Sequence, residues 1–207
     1  MQVFSPSIKI LDAGCGDGTF TMLCARRASE VIACDISTKQ LTILHKKKTS
    51  NVFPVAADIE SNIFKPETFD GIFCSGLLHH FPDFYNALKM LLSSLKSGGY
   101  SIILEPNGNN IVFAKFSNFT SNLLHSIFPS TRTVNEHYIT YQDFQKCSTT
   151  LGFKISQVFT LTFLQPDRGR SLLDIMIRMR TLLAKIALRL LPRWLSNDVI
   201  VVIIQKA

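Results

Sequence analysis

The sequence has no CxxC pair, and none of its five cysteines (Cys15, Cys24, Cys34, Cys74, Cys147) has a histidine at zinc-ligand spacing. An odd set of scattered thiols argues against a disulfide framework and against a structural zinc site, and is expected of a reduced, cytoplasmic protein. The opening residues MQVFSPSIKI lack a charged n-region followed by an apolar core, so no secretory leader is expected. There is no internal repeat and no low-complexity tract. Nor is there a long apolar run free of charge: Leu172 to Leu191 is interrupted by Arg178, Arg180, Lys185 and Arg189, each costly at a bilayer centre.

What is present bounds the class of protein. A chain of 207 residues, 46% hydrophobic and 18% charged, is long enough for one well-packed domain, here expected over 1–207. The formal charge of +7 favours anionic partners or surfaces. That excess is concentrated toward the end, where eight Lys and Arg face three acids from Pro166 onward. On a helix over about 171–191, Asp174, Arg178, Lys185 and Arg189 fall near one face and Leu172, Met176, Met179, Leu183, Ile186 and Leu190 near the other. This pattern suits either a solvated surface helix or peripheral contact with an anionic membrane.

Apolar runs alternate with helical patterns along the first half, which predicts a parallel sheet covered on both faces. Strands are expected at Lys9 to Asp12, Glu30 to Asp35, Asn51 to Ala56, Phe69 to Ser75 and Gly99 to Glu105, with helices between them. The first helix is predicted to begin near Gly18 and to carry Phe20, Leu23, Cys24 and Arg27 at spacings of three and four. A later one, Phe84 to Leu95, ends in Lys96-Ser97-Gly98-Gly99 in the manner of a glycine C-cap. After Pro106 come a turn-rich break, an apolar stripe over Ile111 to Phe128, and a helix over Thr140 to Leu151 with Thr140 as N-cap and Asp143 completing a capping pattern. Phe153 to Phe163 and Val199 to Gln205 read as two further strands.

The stretch LDAGCGDGTF carries the strongest functional signal. In open α/β sheets ligands bind where a strand's C-terminal end meets a glycine-rich turn and a helix. Asp12, Gly14, Gly16 and Gly18 all stand there, with Cys15 inside the loop. A dinucleotide fingerprint would need glycine or alanine at position 19, where this chain has Thr19. Asp12 also opposes a phosphate and favours a cationic group. Asp35 closes the run VIACD, 21 residues beyond Gly14, a place from which a carboxylate can accept both ribose hydroxyls.

With those residues the chain resembles the class I S-adenosylmethionine-dependent methyltransferases, and their type 11 subgroup in particular. LDAGCGDG resembles the first motif, VIACD the acidic end of the second strand and PVAADIE the third-strand motif. FDGIFCSGLLHHFPD is similar to the fourth strand and its loop, and LKSGGYSIILEPN to the fifth strand with its lead-in. YITYQDFQKCSTTLGF and VIVVIIQKA resemble the later helix and the reversed last strand. The resemblance implies a Rossmann-like, seven-stranded, mostly parallel α/β sheet with an antiparallel last strand, helices on both faces, and a helical cap inserted after the fifth strand, about 107–150.

It also implies S-adenosyl-L-methionine as methyl donor. Asp35 would hold the ribose, Ile36 the adenine face, Asp58 and Ile59 the adenine edge, and Asp12 the amino group. Gly14, Cys15, Gly16 and Gly18 would cup the donor, with Ser75 and Gly76 beside its methionine part. Asp35 and Asp58 also suit plain capping roles at strand-to-helix turns. His79 and His80 in the fourth-strand loop, and His137 from the acceptor side, are the candidate catalytic bases, with a packing, capping or structural role as the alternative for each. Glu105 is a candidate for lining the acceptor pocket.

The expected activity is methyl transfer to a small, apolar or lipid-linked acceptor at oxygen or carbon. A donor-binding or scaffold protein that keeps the fold without turnover is the alternative. A nicotinamide dehydrogenase is disfavoured by Thr19 and Asp12. Family members generally carry helices before the first strand, whereas seven or so residues precede it here. CSGLLHHF lacks the Pro-Pro-aromatic motif of amino-methylating DNA enzymes, and no base-stacking motif points to specific nucleic-acid binding.

Overall fold

A computed structural model describes residues 8–61, 63–109, 138–161 and 199–207. The Ile111 to Phe128 stripe, His137 and the 171–191 helix lie outside the described residues, as does most of the expected cap.

Seven strands form one sheet: β1 (Lys9–Ala13), β2 (Glu30–Asp35), β3 (Val52–Ala56), β4 (Phe69–Ser75), β5 (Leu95–Pro106), β6 (Phe153–Leu161) and β7 (Val199–Lys206). Their order is β3-β2-β1-β4-β5-β7-β6. The first five run parallel, and β7 pairs antiparallel with both β5 and β6. The expected α/β architecture with a reversed last strand is therefore what the chain adopts. Because β1 has β2 on one side and β4 on the other, chain progression reverses there. Connections leave the two strand ends on opposite faces and open a crevice between them.

Among the described residues four α-helices pack on this sheet: α1 (Thr21–Ala25), α2 (Thr38–His45), α3 (Phe84–Ser94) and α4 (Tyr141–Leu151). The main core lies on the face carrying Leu11, Ile72, Cys74, Ile103, Val202 and Ile204, against Ala87, Leu88, Leu91 and Leu92 of α3 and Phe144 and Cys147 of α4. A smaller cluster on the other face joins Cys15, Ala33, Leu41 and Leu44. The buried positions of α3 repeat at helical spacing, and Asp83 caps it by accepting the Asn86 amide at 3.1 Å. The predicted capping pattern of α4 forms completely: Thr140 Oγ1 accepts the Asp143 amide at 3.3 Å while Asp143 Oδ2 accepts the Thr140 amide at 2.9 Å. Gly152, at φ +71°, ends that helix.

Three expectations are corrected. The first helix starts at Thr21 rather than near Gly18, because Asp17 Oδ1 accepts both the amide and the hydroxyl of Thr19, at 3.1 and 2.7 Å, and holds those residues in a turn. The helix has five residues, and Leu23 is left exposed instead of facing inward. Between β3 and β4 the described residues form a single 3-10 turn, Ile59–Ser61, rather than an α-helix. Finally, α3 stops at Ser94 without a glycine cap. Leu95 is extended and fully buried, already pairs with Phe69, and Gly98 at φ +75° serves the irregularity that follows in the β4–β5 register. Burial of Leu95 as a strand residue outweighs one further residue of helix.

Candidate active site

The crevice is framed by two loops, one leaving β1 and one leaving β4. The β1 loop is tied to the end of β2. The amides of Gly14 and Cys15 both donate to the Cys34 carbonyl, at 2.8 and 3.0 Å, and the Gly16 amide donates to Asp35 Oδ2 at 2.8 Å. Asp35 Oδ1 accepts the Ser37 amide at 2.8 Å, turning the chain into α2. Asp35 thus performs the capping role open to it, and it also pins the glycine loop. Each of its oxygens keeps a lone pair for a further donor.

Two glycines of this loop are sterically required. Gly14 has φ +69°, and a Cβ there would come within 2.9 Å of Leu77 Cδ1; Gly18 has φ +83°, and a Cβ would run into the Leu44 side chain. Gly16 is also left-handed but meets nothing. The Cys15 amide and carbonyl are both engaged within the fold, the carbonyl by the Gly18 amide at 2.9 Å, so Cys15 offers a ligand surface rather than an amide. Burial pushes its thiol well above the ordinary range. Cys24 and Cys34 are raised to about 12 and Cys147 to about 11, by burial first, so thiolate chemistry is suppressed.

Asp12 lies beneath the same loop at 2% exposure and accepts a hydrogen bond from Thr21 Oγ1 at 2.5 Å. Desolvation raises its pKa from 3.8 to about 6; the Thr21 bond opposes the rise and the Asp35 charge adds to it. A carboxylate held in this way gains from any cation brought near it. Ile36, directly after Asp35, is 72% exposed, an isoleucine in water beside a fixed carboxylate. Asp58 accepts the Glu60 amide at 2.9 Å through Oδ1. Ile59, expected with Asp58 at the adenine edge, packs its side chain into the main core at 7% exposure.

The β4 loop is organised from a distance. Gly76, at φ +62°, donates its amide to the Leu104 carbonyl at 2.8 Å, and Ser75 pairs with Leu104, so the loop leaves the sheet beside the end of β5. There Glu105, 1% exposed, accepts the amides of Leu77 and Leu78 on Oε1, at 3.0 and 2.7 Å. Its Oε2 is 2.7 Å from His79 Nδ1. This corrects the expectation that Glu105 lines an acceptor pocket: its carboxylate is consumed behind the loop. His79 keeps 14% of its side chain exposed, and its Cε1 lies 3.8 Å from where a Cβ on Gly76 would stand. The His80 ring stacks against it at 4.0 Å. The site therefore brings together Asp12, Gly14, Cys15, Gly16, Gly18, Asp35 and Ile36 on one side and Ser75, Gly76, His79 and His80 on the other. Sequence reading missed the Glu105 contacts, for which no local signal exists. Among the described residues no cluster of His, Cys, Asp or Glu could hold a metal ion, and no helix is long and apolar enough to cross a membrane.

Known proteins are similar to this chain in sequence and in fold. A family model described as "Methyltransferase domain" matches residues 11–103. A ubiquinone biosynthesis O-methyltransferase of Aliivibrio fischeri is 30% identical over 105 residues, 49% of this chain and 45% of that protein. A demethylmenaquinone methyltransferase of Streptomyces avermitilis is 31% identical over 134 residues, 64% of this chain and 56% of that protein. The chain spans about half the length of these curated relatives. Among solved structures, an S-adenosylmethionine dependent methyltransferase from Mesorhizobium loti superposes with a TM-score of 0.68 at 18% identity, covering 99% of this chain and 94% of that one. Strand order, the reversed last strand and the matched segment thus agree in giving the chain the fold of the S-adenosylmethionine-dependent methyltransferases, with similarity to a methyltransferase domain over residues 11–103.

Proposed function

We propose that the protein transfers a methyl group from S-adenosyl-L-methionine to a small, apolar or lipid-linked acceptor, at oxygen or carbon. One observation carries the reading: a carboxylate fixed by two amides at the end of β2, followed at once by an isoleucine 72% exposed to water. That pair suits an adenosine, with the diol on Asp35 and the flat base over Ile36. The rest of the crevice fits the same donor. In this reading Asp58 meets the adenine amino group and Asp12 the ammonium, while the glycine loop lets the backbone approach closely. His79 and His80 stand on the opposite wall, where the methyl group and the acceptor would meet.

When bound, the donor supplies an electrophilic methyl carbon on a sulfonium. The residues of the chain align the partners and exclude water, an effect worth on the order of 7 to 11 kcal/mol. The apolar acceptor draws support from the names of the two relatives, both quinone-pathway methyltransferases at low identity. Peripheral membrane contact through 171–191 belongs to the same reading, since a lipid-linked acceptor would be met at a bilayer surface.

Calorimetry with S-adenosylmethionine and NAD tests the donor, with binding of the first alone expected. Incubating the protein and isotope-labelled donor with lipid and polar cell extracts tests turnover. Label is expected in an apolar small-molecule fraction; none in any fraction, with donor binding intact, would favour the scaffold alternative. Co-sedimentation with anionic vesicles at low and high salt tests the membrane contact.

A further inference from the structure

We infer that Glu105 is a positioning residue that fixes His79 as a general base, and that the acceptor therefore presents a proton-bearing oxygen, a phenolic or alcoholic hydroxyl. This deepens the proposed function and rests on it.

The geometry runs from the back of the site forward. A carboxylate accepts hydrogen bonds and donates none, and Oε1 of Glu105 is occupied by the amides of Leu77 and Leu78. Its Oε2, 2.7 Å from His79 Nδ1, then calls for a proton on that nitrogen. A neutral imidazole protonated at Nδ1 has its lone pair on Nε2. Glu105 is fully buried and held at three points, so it sets ring orientation and tautomer together. Among the described residues, the groups around His79 that titrate or carry charge are Glu105 from β5, the neighbouring His80 ring, and the Cys74 thiol from β4, which burial keeps protonated.

The Nε2 lone pair of a ring whose Cε1 lies beside Gly76 is useful where the nucleophile must lose a proton. In the balanced step, the hydroxyl proton passes to His79 Nε2 as the oxygen pair forms the O–CH3 bond, and the S–CH3 pair returns to sulfur. The Glu105 carboxylate faces the resulting imidazolium, whose proton then leaves to water.

Glu105→Gln isolates this role. Its carbonyl can still accept the Leu77 and Leu78 amides, but its NH2 would donate to Nδ1 and place the proton on Nε2, removing the base. Long-range 1H–15N spectra of the imidazoles, with His79 assigned through His79→Gln, need no acceptor. The native chain is expected to show the Nδ1–H tautomer and Glu105→Gln the Nε2–H tautomer. An Nε2–H tautomer in the native protein, or an unchanged one in the variant, would overturn the inference. With 13C-methyl donor and phenol-containing lipid extract, the product carbon is expected at a methoxy shift, and its formation is expected to fall about 100-fold or more in Glu105→Gln with donor affinity unchanged. A product methylated at carbon or nitrogen would overturn the inference and leave the proposed function standing. Loss of donor binding in the native chain would strike the proposed function instead. Should Glu105→Gln fail to fold, His79→Gln leaves Glu105 on its two amides, and full methoxy formation in that variant would equally overturn the assignment.

Discussion

At the ends of β1 and β2 the crevice is shaped mainly by backbone. Glycines turn the chain, the Cys34 carbonyl takes two amides, and Asp35 takes two more from a partly exposed position. At the ends of β4 and β5 a single buried side chain does the equivalent work: Glu105 holds two amides and a ring contributed by residues 26 to 28 positions earlier. The first arrangement leaves a carboxylate with spare capacity at the surface, which suits a wall that must grip a ligand. The second spends its carboxylate inside and puts an oriented imidazole at the surface, which suits a wall that must act on one. The two walls meet where Leu77 fills the space a Gly14 side chain would need.

Removing each carboxylate should break this comparison in opposite ways. Glu105→Ala leaves two buried amides unpaired and is expected to cost about 3 kcal/mol of stability, read as a lowered urea midpoint. Asp35→Ala frees amides that water can reach, so its stability loss should stay near 1 kcal/mol. Its S-adenosylmethionine Kd should instead rise about 100-fold, the size of two lost charge-assisted hydrogen bonds. Unchanged donor affinity in Asp35→Ala would remove the ribose assignment, and equal destabilisation by both variants would erase the distinction between the walls.

The contact between the walls is expected to be worth less. Gly14→Ala puts a Cβ on a left-handed backbone at φ +69° and 2.9 Å from Leu77 Cδ1, and should cost about 2 kcal/mol. In a double-mutant cycle, adding Leu77→Ala should recover the steric part and leave the backbone part. Full additivity would show that the loops do not lean on one another.

These two walls also differ in how far they were legible. The loop at the ends of β1 and β2 could be placed because its requirements are local: the glycines, Asp12 and Asp35 sit at fixed spacing around strand ends, and each strand announces itself as an apolar run. The last strand was legible as the apolar run VIVVIIQKA, but its reversed direction only through the family resemblance. What could not be read depends on strand pairing. Glu105 and His79 become neighbours only because Ser75 pairs with Leu104, and no pattern near either residue encodes that register. Leu95 was misplaced for a related reason, since local sequence favours one more residue of helix while its partner Phe69, far away in the chain, draws it into the sheet. Ile59 was assigned to the ligand because it follows Asp58, yet packing took its side chain inward.

The smallest expected effect sharpens the donor wall itself. Desolvation holds the Asp12 carboxyl at about 6 against 3.8 for an ordinary Asp, so between those values the folded chain binds more protons than the unfolded one. Stability from this residue is therefore greatest in acid and declines as pH rises from about 4 through 6. Asp12→Asn should remove that slope and leave the variant at least as stable as the native protein at pH 7. Donor binding should show the reverse trend, because an ammonium beside Asp12 favours the ionised form and binding at acid pH must expel the proton. Between pH 7 and pH 5 the S-adenosylmethionine Kd should rise about tenfold, with fractional proton release seen by calorimetry in buffers of different ionisation enthalpy. In Asp12→Asn the Kd should be weaker at pH 7 and nearly flat over the same range. A native profile already flat, with no proton released, would mean that the ammonium is held elsewhere and that Asp12 serves only to anchor Thr21 beneath the loop.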